Sequence, residues 1–179
     1  MALRARLSVP ARLALGIGAV GAAALAWGVL VERNSFRVRR ESVPVLAPGS
    51  RSIVVLHLSD IHLAPWQHAK QQWIRSLVDL EPDLIVNTGD NLGHPDSIDA
   101  LSAAFAPFGR TPGVFVHGSN DYHGPQLKNP FTYFTGPSQR HTAPPALDTP
   151  KLERVLADHG WLNLNNAATR LTIKGSPLE

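Results

Sequence analysis

Three short polar stretches of this 179-residue sequence hold residue types that do chemistry: Asp60-Ile61-His62, Gly89-Asp90-Asn91 and Gly118-Ser119-Asn120-Asp121. Each follows an apolar run, respectively "VVLHLS", "DLIVNT" and "VFVH". Singly, an Asp-x-His triplet or a Gly-Asp turn is ordinary loop chemistry. Brought to one place, the carboxylates would repel and raise one another's pKa unless a cation compensates. Oxygen ligands with one imidazole suit a hard or borderline divalent ion such as Mn²⁺, Fe²⁺ or Zn²⁺.

The elements that must position these clusters alternate. "SIVVLHLS" is a continuous apolar, β-branched run, which predicts a strand covered on both faces. Residues 67–80 have helical spacing, with Trp73, Ile74, Leu77 and Leu80 on one stripe and Pro82 ending the helix. "DLIVNTGD" reads as a second buried strand. A helix over 97–108 would turn Ile98, Leu101, Ala104 and Phe105 inward, with Ser97 or Asp96 as its cap. "VFVHG" is the third strand. This β-α-β-α-β order predicts an α/β layered fold with neighbouring parallel strands, whose C-terminal ends share one edge. The three clusters then converge on that edge.

Residues 122–150 have no clear period and are rich in Pro, His, Asn and aromatics, as a functional or mobile connection would be. Within them "NPFTYF" forms either a hydrophobic wall or lid, or plain packing. A helix near 150–159 and a strand around 168–174 follow, and there is no internal repeat.

At the other end, residues 13–31 carry no charge and would make a helix of about 28 Å, close to the hydrocarbon thickness of a bilayer. A signal peptide with a cut near Ala24-Leu25-Ala26 competes with a retained span; the apolar run is longer than a signal centre, so a single-pass N-terminal anchor is favoured. Arginines flank both ends, so the positive-inside rule selects no side, and no Arg-Arg pair precedes the run. Residues 1–50 hold seven arginines against two glutamates, a net of +5, whereas residues 51–179 hold ten basic against twelve acidic residues, a net of −2. The positive charge therefore lies beside the apolar segment, where it suits anionic headgroups. The globular part lacks the basic stripe that nucleic-acid binding needs. With no cysteine, disulfides and thiolate metal sites are excluded. The expected organisation is a basic N-terminus (1–12), a transmembrane helix (13–31), a Pro/Gly-containing linker (32–52) and an α/β domain (53–179).

"SDIHL", "TGDNL" and "GSNDY" resemble the successive motifs of calcineurin-like metallophosphoesterases, which read Asp-x-His, Gly-Asp and Gly-Asn-His-Asp/Glu. With "EPDL", "GVFV" and "LKNP", the sequence looks like a membrane-tethered bacterial branch of that superfamily, over about residues 32–174. The resemblance implies an α/β/β/α sandwich, two divalent ions and a phosphate-ester substrate, monoester or diester. It implies that Asp60 and His62 bind the first metal, that Asp90 bridges both, and that an Asn amide oxygen binds the second. A water between the ions, its pKa lowered by their charge, would attack phosphorus in line while a general acid assists the leaving oxygen. A membrane address brings a lipid-linked phosphate into reach as substrate.

Two departures qualify this. Ser119 stands at the family's Asn place and Asn120 at its His place, so Asn120 is taken as the second-metal ligand and His123 as a stand-in for the acid. The family's two later histidine motifs, a lone His and Gly-His-x-His, have no counterpart, because no histidine follows His159. The expectation is a domain incomplete on its C-terminal side, with the second metal site incomplete and weak metal binding. The competing reading is a tethered, catalytically inactive remnant. Outside the motifs, His57 and His117 are expected to be core histidines bonded to backbone, His94 a turn residue before proline, and Trp66, Trp73 and Trp161 packing residues.

Overall fold

The computed structural model describes residues 8–125 and 145–179, in two units, Met1–Glu41 and Ser42–Glu179. Arg4, Arg6 and the "NPFTYF" stretch lie outside the described residues. In the first unit, helix α1 (Val9–Leu30) starts with Pro10 in its first turn, where a missing N–H costs nothing. None of its residues is buried, and the helix is long and apolar enough to cross a membrane.

The second unit is built on four parallel strands in the order of the chain: β1 (Val55–Leu58), β2 (Leu84–Asn87), β3 (Gly113–Phe115) and β4 (Trp161–Asn163). Register sets Leu58 opposite Asn87 and Asn87 opposite Phe115, so the strands end together. Helices α2 (His68–Ser76), α3 (Ile98–Phe105) and α5 (Thr149–Asp158) supply the other half of the core; a four-residue helical turn, α4 (Ser119–Tyr122), follows β3. Leu56, Leu58, Ile85, Phe115 and Trp161 from the strands pack with Ile74, Leu101, Phe105, Leu152 and Leu156 from the helices. Burying such a side chain contributes about 1.5–3 kcal/mol each. The predicted stripe on α2 faces the core: Ile74 and Leu77 are buried, with Trp73 and Leu80 packed against them. Glu81 adopts a left-handed φ of 49°, stopping the helix one residue before Pro82, which disfavours helical backbone ahead of it.

Four expectations are corrected. β1 is not covered on both faces: Leu56 and Leu58 are buried, but Val54 (44% exposed), Val55 and His57 face out, because β1 is an edge strand and the core helices pack on the opposite face. His57 is accordingly no core residue and bonds Thr88 Oγ1 at 2.9 Å. Neither Asp96 nor Ser97 caps the third helical region. The His94 ring accepts from the Asp96 N–H at 3.2 Å instead, while the Ser97 hydroxyl donates to the Leu63 carbonyl. Trp66 is not packed inside; it is 60% exposed and edge-on to His94, with centroids 5.0 Å apart.

Beyond β4, a hairpin of β5 (Leu171–Ile173) and β6 (Ser176–Leu178) closes through Lys174-Gly175, both at positive φ (49° and 85°), the pattern of a type I′ turn. Lys174 Nζ reaches Asp83 Oδ2 at 2.7 Å, and the same oxygen accepts the Val54 N–H at 2.8 Å. Burial alone would raise the Asp83 pKa, but Lys174 and the Val54 N–H outweigh it and hold the carboxyl below its ordinary value of 3.8. A lowered folded pKa means that the clasp stabilises above that ordinary value and is lost as pH falls through the lower folded one. Lys174→Met is expected to cost about 1 kcal/mol or less, since the lysine is partly exposed and screened. Thermal melts at pH 7 should show the loss, and acid or 0.5 M salt should shrink it.

Candidate metal centre

Beyond the strands the first two loops remain zipped together. Thr88 N–H donates to Leu58 O at 2.9 Å, Asp60 N–H to Gly89 O at 3.0 Å, His62 N–H to Asp90 O at 2.9 Å and Leu63 N–H to Asn91 O at 2.8 Å. This ladder holds three non-glycine residues at positive φ: Asp60 (53°), His62 (42°) and Asp90 (55°). Left-handed backbone costs such residues about 1–3 kcal/mol each and persists only where the surroundings impose it. All three are metal-ligand candidates from the sequence.

The strained turns bring their side chains together. His62 Nε2 lies 3.8 Å from Asp60 Oδ1 and 3.7 Å from Asp90 Oδ2, and one ligand atom from each residue falls within 4.8 Å of the others. Exposure decreases inward, from Asp60 at 70% through His62 at 42% to Asp90 at 21%. Ligands about 2.1 Å from a tetrahedral ion stand about 3.4 Å apart. The cluster is slightly wider than that, open to solvent on the Asp60 side, and of the right chemistry, so the residues fit a divalent cation.

Asn120 also arrives at Asp90, but as a donor. Its backbone N–H gives to Asp90 Oδ1 and its amide NH₂ to Asp90 Oδ2, both at 2.8 Å. A ligand role for the amide oxygen requires the side-chain amide to turn over, exchanging its nearly isosteric N and O. His123 is exposed just past α4, its backbone bridged to Ala146, outside the Asp60–His62–Asp90 cluster.

Sequence reasoning placed Asp121 and Asn91 in the polar clusters without a role, and passed over Asn87. Asp121 is fully buried, and its carboxylate accepts the backbone N–H groups of Asp90 (2.9 Å), Asn91 (2.8 Å) and Gly118 (3.0 Å). Burial alone would raise its pKa, yet His117 and these N–H donors outweigh it and hold the carboxyl below the ordinary value of 3.8. Asn87 and Asn91, also buried, exchange amide hydrogen bonds at 2.7 and 3.1 Å, and Asn87 Oδ1 takes the Gly89 N–H at 2.9 Å. The available signal was Asn87, an amide at the end of an apolar strand run, with a second asparagine four residues on: a buried amide has to find partners.

Loops two and three also interlock backbone to backbone. Gly89 has a φ of 87° and a Cβ there would collide with Gly118 N, while a Cβ on Gly118 would overlap the Asp90 carboxylate. Gly118→Ala must therefore push Asp90 aside. The expected result is about 10–100-fold weaker Mn²⁺ binding, measured calorimetrically, the usual cost of disturbing what orients a ligand.

A parallel α/β sheet with a carboxylate–imidazole–carboxylate cluster on its C-terminal rim defines an α/β domain with a candidate divalent-metal site. The family model for calcineurin-like phosphoesterase matches residues 53–175, and the chain belongs to that family. A curated relative, "Transmembrane protein with metallophosphoesterase domain" from Bos taurus, is 33% identical over 112 residues, which cover 58% of this chain and 25% of the relative. The chain thus spans about a quarter of the length of that protein. No solved structure gives a significant match.

Proposed function

We propose that this chain is a membrane-anchored, metal-dependent phosphoesterase that hydrolyses a phosphomonoester or phosphodiester. The observation that carries the reading is the convergence of Asp60, His62 and Asp90, with their ligand atoms within 4.8 Å on strained loops at the rim. These three residues would hold the first ion, with Asp90 shared toward a second, incomplete site that Asn120 would join after its amide turns over. When bound, a divalent cation supplies charge that acidifies water and offsets the negative charge of the phosphate. The protein's own part is to present the Asp90 carboxylate. The Asn120 backbone N–H, whichever way its amide faces, holds Asp90 Oδ1 at 2.8 Å, and Asp121 fixes the backbone beneath it. His123, exposed beyond α4, is the proposed proton donor to the leaving oxygen. The apolar helix α1 and the transmembrane relative support a membrane address and, with it, a lipid-linked phosphate as one substrate class.

The test is release of nitrophenol from bis(nitrophenyl) phosphate by the detergent-solubilised full chain with excess Mn²⁺. Turnover that disappears in Asp90→Asn supports the reading. Absence of turnover with metal in excess favours the inactive remnant, and Mn²⁺ titration then shows whether the cation site survives.

A further inference from the structure

Behind the rim lies a buried line of charge. The His117 side chain has no exposed surface, and its ring is set between Phe115 and Tyr122, each with centroids 5.4 Å away. Nε2 is 3.0 Å from Glu153 Oε1 on α5, a side chain that is half-exposed and also accepts from Asn163 Nδ2 at 3.2 Å. Nδ1 faces Asp121 Oδ2 at 3.8 Å, too far for a hydrogen bond. Asp121 Oδ2 is also the oxygen that accepts the N–H groups of Asp90 and Gly118. Burial alone would lower the His117 pKa, but the carboxylates on both sides outweigh it and raise it above the ordinary 6.5.

We propose that Glu153 and His117 are positioning residues: a brace of side-chain contacts running from α5 through the His117 ring to Asp121, which locks the backbone at residues 90, 91 and 118 and so presents the Asp90 carboxylate to a cation. The cation half of this inference rests on the proposed function; the locking half does not. Asp121 could bond its three N–H groups alone, but the enclosed His117 ring packs against its carboxylate and limits how far it can swing. Glu153 in turn holds the other ring nitrogen at 3.0 Å and anchors the ring to a core helix.

The decisive variant is Glu153→Ala, because its half-exposed side chain leaves the core intact, with Glu153→Gln keeping an acceptor for the ring N–H but not the charge. Hydrogen exchange on the full chain in detergent should accelerate about 10-fold in peptides covering 88–92 and 116–120, with core segments 84–86 and 98–105 unchanged. Mn²⁺ affinity should fall about 10-fold, in the range expected for residues that orient ligands, and Glu153→Gln should recover part of both effects. Unchanged exchange in the loops, or equal acceleration in the core segments, overturns the brace. A wild-type chain that binds no Mn²⁺ overturns the metal reading instead, and the exchange pattern still decides the brace.

Discussion

Asp90→Asn is expected to abolish metal binding and turnover while leaving the domain folded. Asp90 is the common neighbour in the cluster: one carboxylate oxygen lies 3.7 Å from His62 Nε2, and both oxygens accept from Asn120. The substitution is close to isosteric, and asparagine adopts left-handed backbone more readily than most residues, so the φ of 55° is retained. What changes is charge and one acceptor. The new amide can accept only one of the two Asn120 donors, a loss of about 1 kcal/mol. The cation loses a negative ligand outright. Disturbing a residue that merely orients a ligand costs about 10–100-fold in affinity, and losing this carboxylate should exceed 100-fold. Calorimetric Mn²⁺ titration, nitrophenol release and a thermal melt on the same sample check this together. A variant that melts normally and still binds Mn²⁺ within a few-fold of wild type would remove Asp90 from the site. Asp60→Asn should be milder, because the Asp60 side chain is 70% exposed, its carboxylate accepting from the Ser59 hydroxyl and lying 3.8 Å from the His62 ring.

The rim was legible in the sequence for a definite reason. A buried parallel strand is a run of apolar residues, and its end is marked by the first residues that need polar partners, here Asp60, Asp90 and Asn120. β-α-β alternation then fixed which ends meet. The elements that escaped were those whose pattern is too short or whose environment is not local. β4 is three residues, Trp161–Asn163, with only Trp161 buried, and so shows no period. The open face of β1 is set by where the helices lie, and nothing in "VVLHLS" reports that. His117 sits in the same apolar company as His57, yet one is enclosed by two carboxylates and the other faces outward to Thr88. Partners 31 and 36 residues away decided the difference.

Asp121→Ala is expected to produce the largest loss of stability. The Asp121 side chain joins the second and third loops, since the carboxylate accepts three backbone N–H groups and faces the buried His117 ring. Truncation leaves those donors without an acceptor and the His117 ring with Glu153 as its remaining carboxylate neighbour. Removing one partner of a buried pair costs about 3–5 kcal/mol. For a unit of this size that corresponds to a midpoint drop of roughly 10–20 °C. Asp121→Asn, which keeps the shape and one acceptor oxygen, should fall between alanine and wild type. The pH dependence gives a second signature. The folded pKa of His117 is raised, so its contribution is fully present below 6.5 and is lost as pH rises through the higher folded value. Wild type should therefore lose stability across that upper window, and Asp121→Ala, already lacking one of the two carboxylates that raise the pKa, should lose much less. Melting midpoints measured from pH 6 upward test both statements. A variant within a few degrees of wild type, or one with the same alkaline slope, would show that the N–H groups at the rim do not depend on this carboxylate.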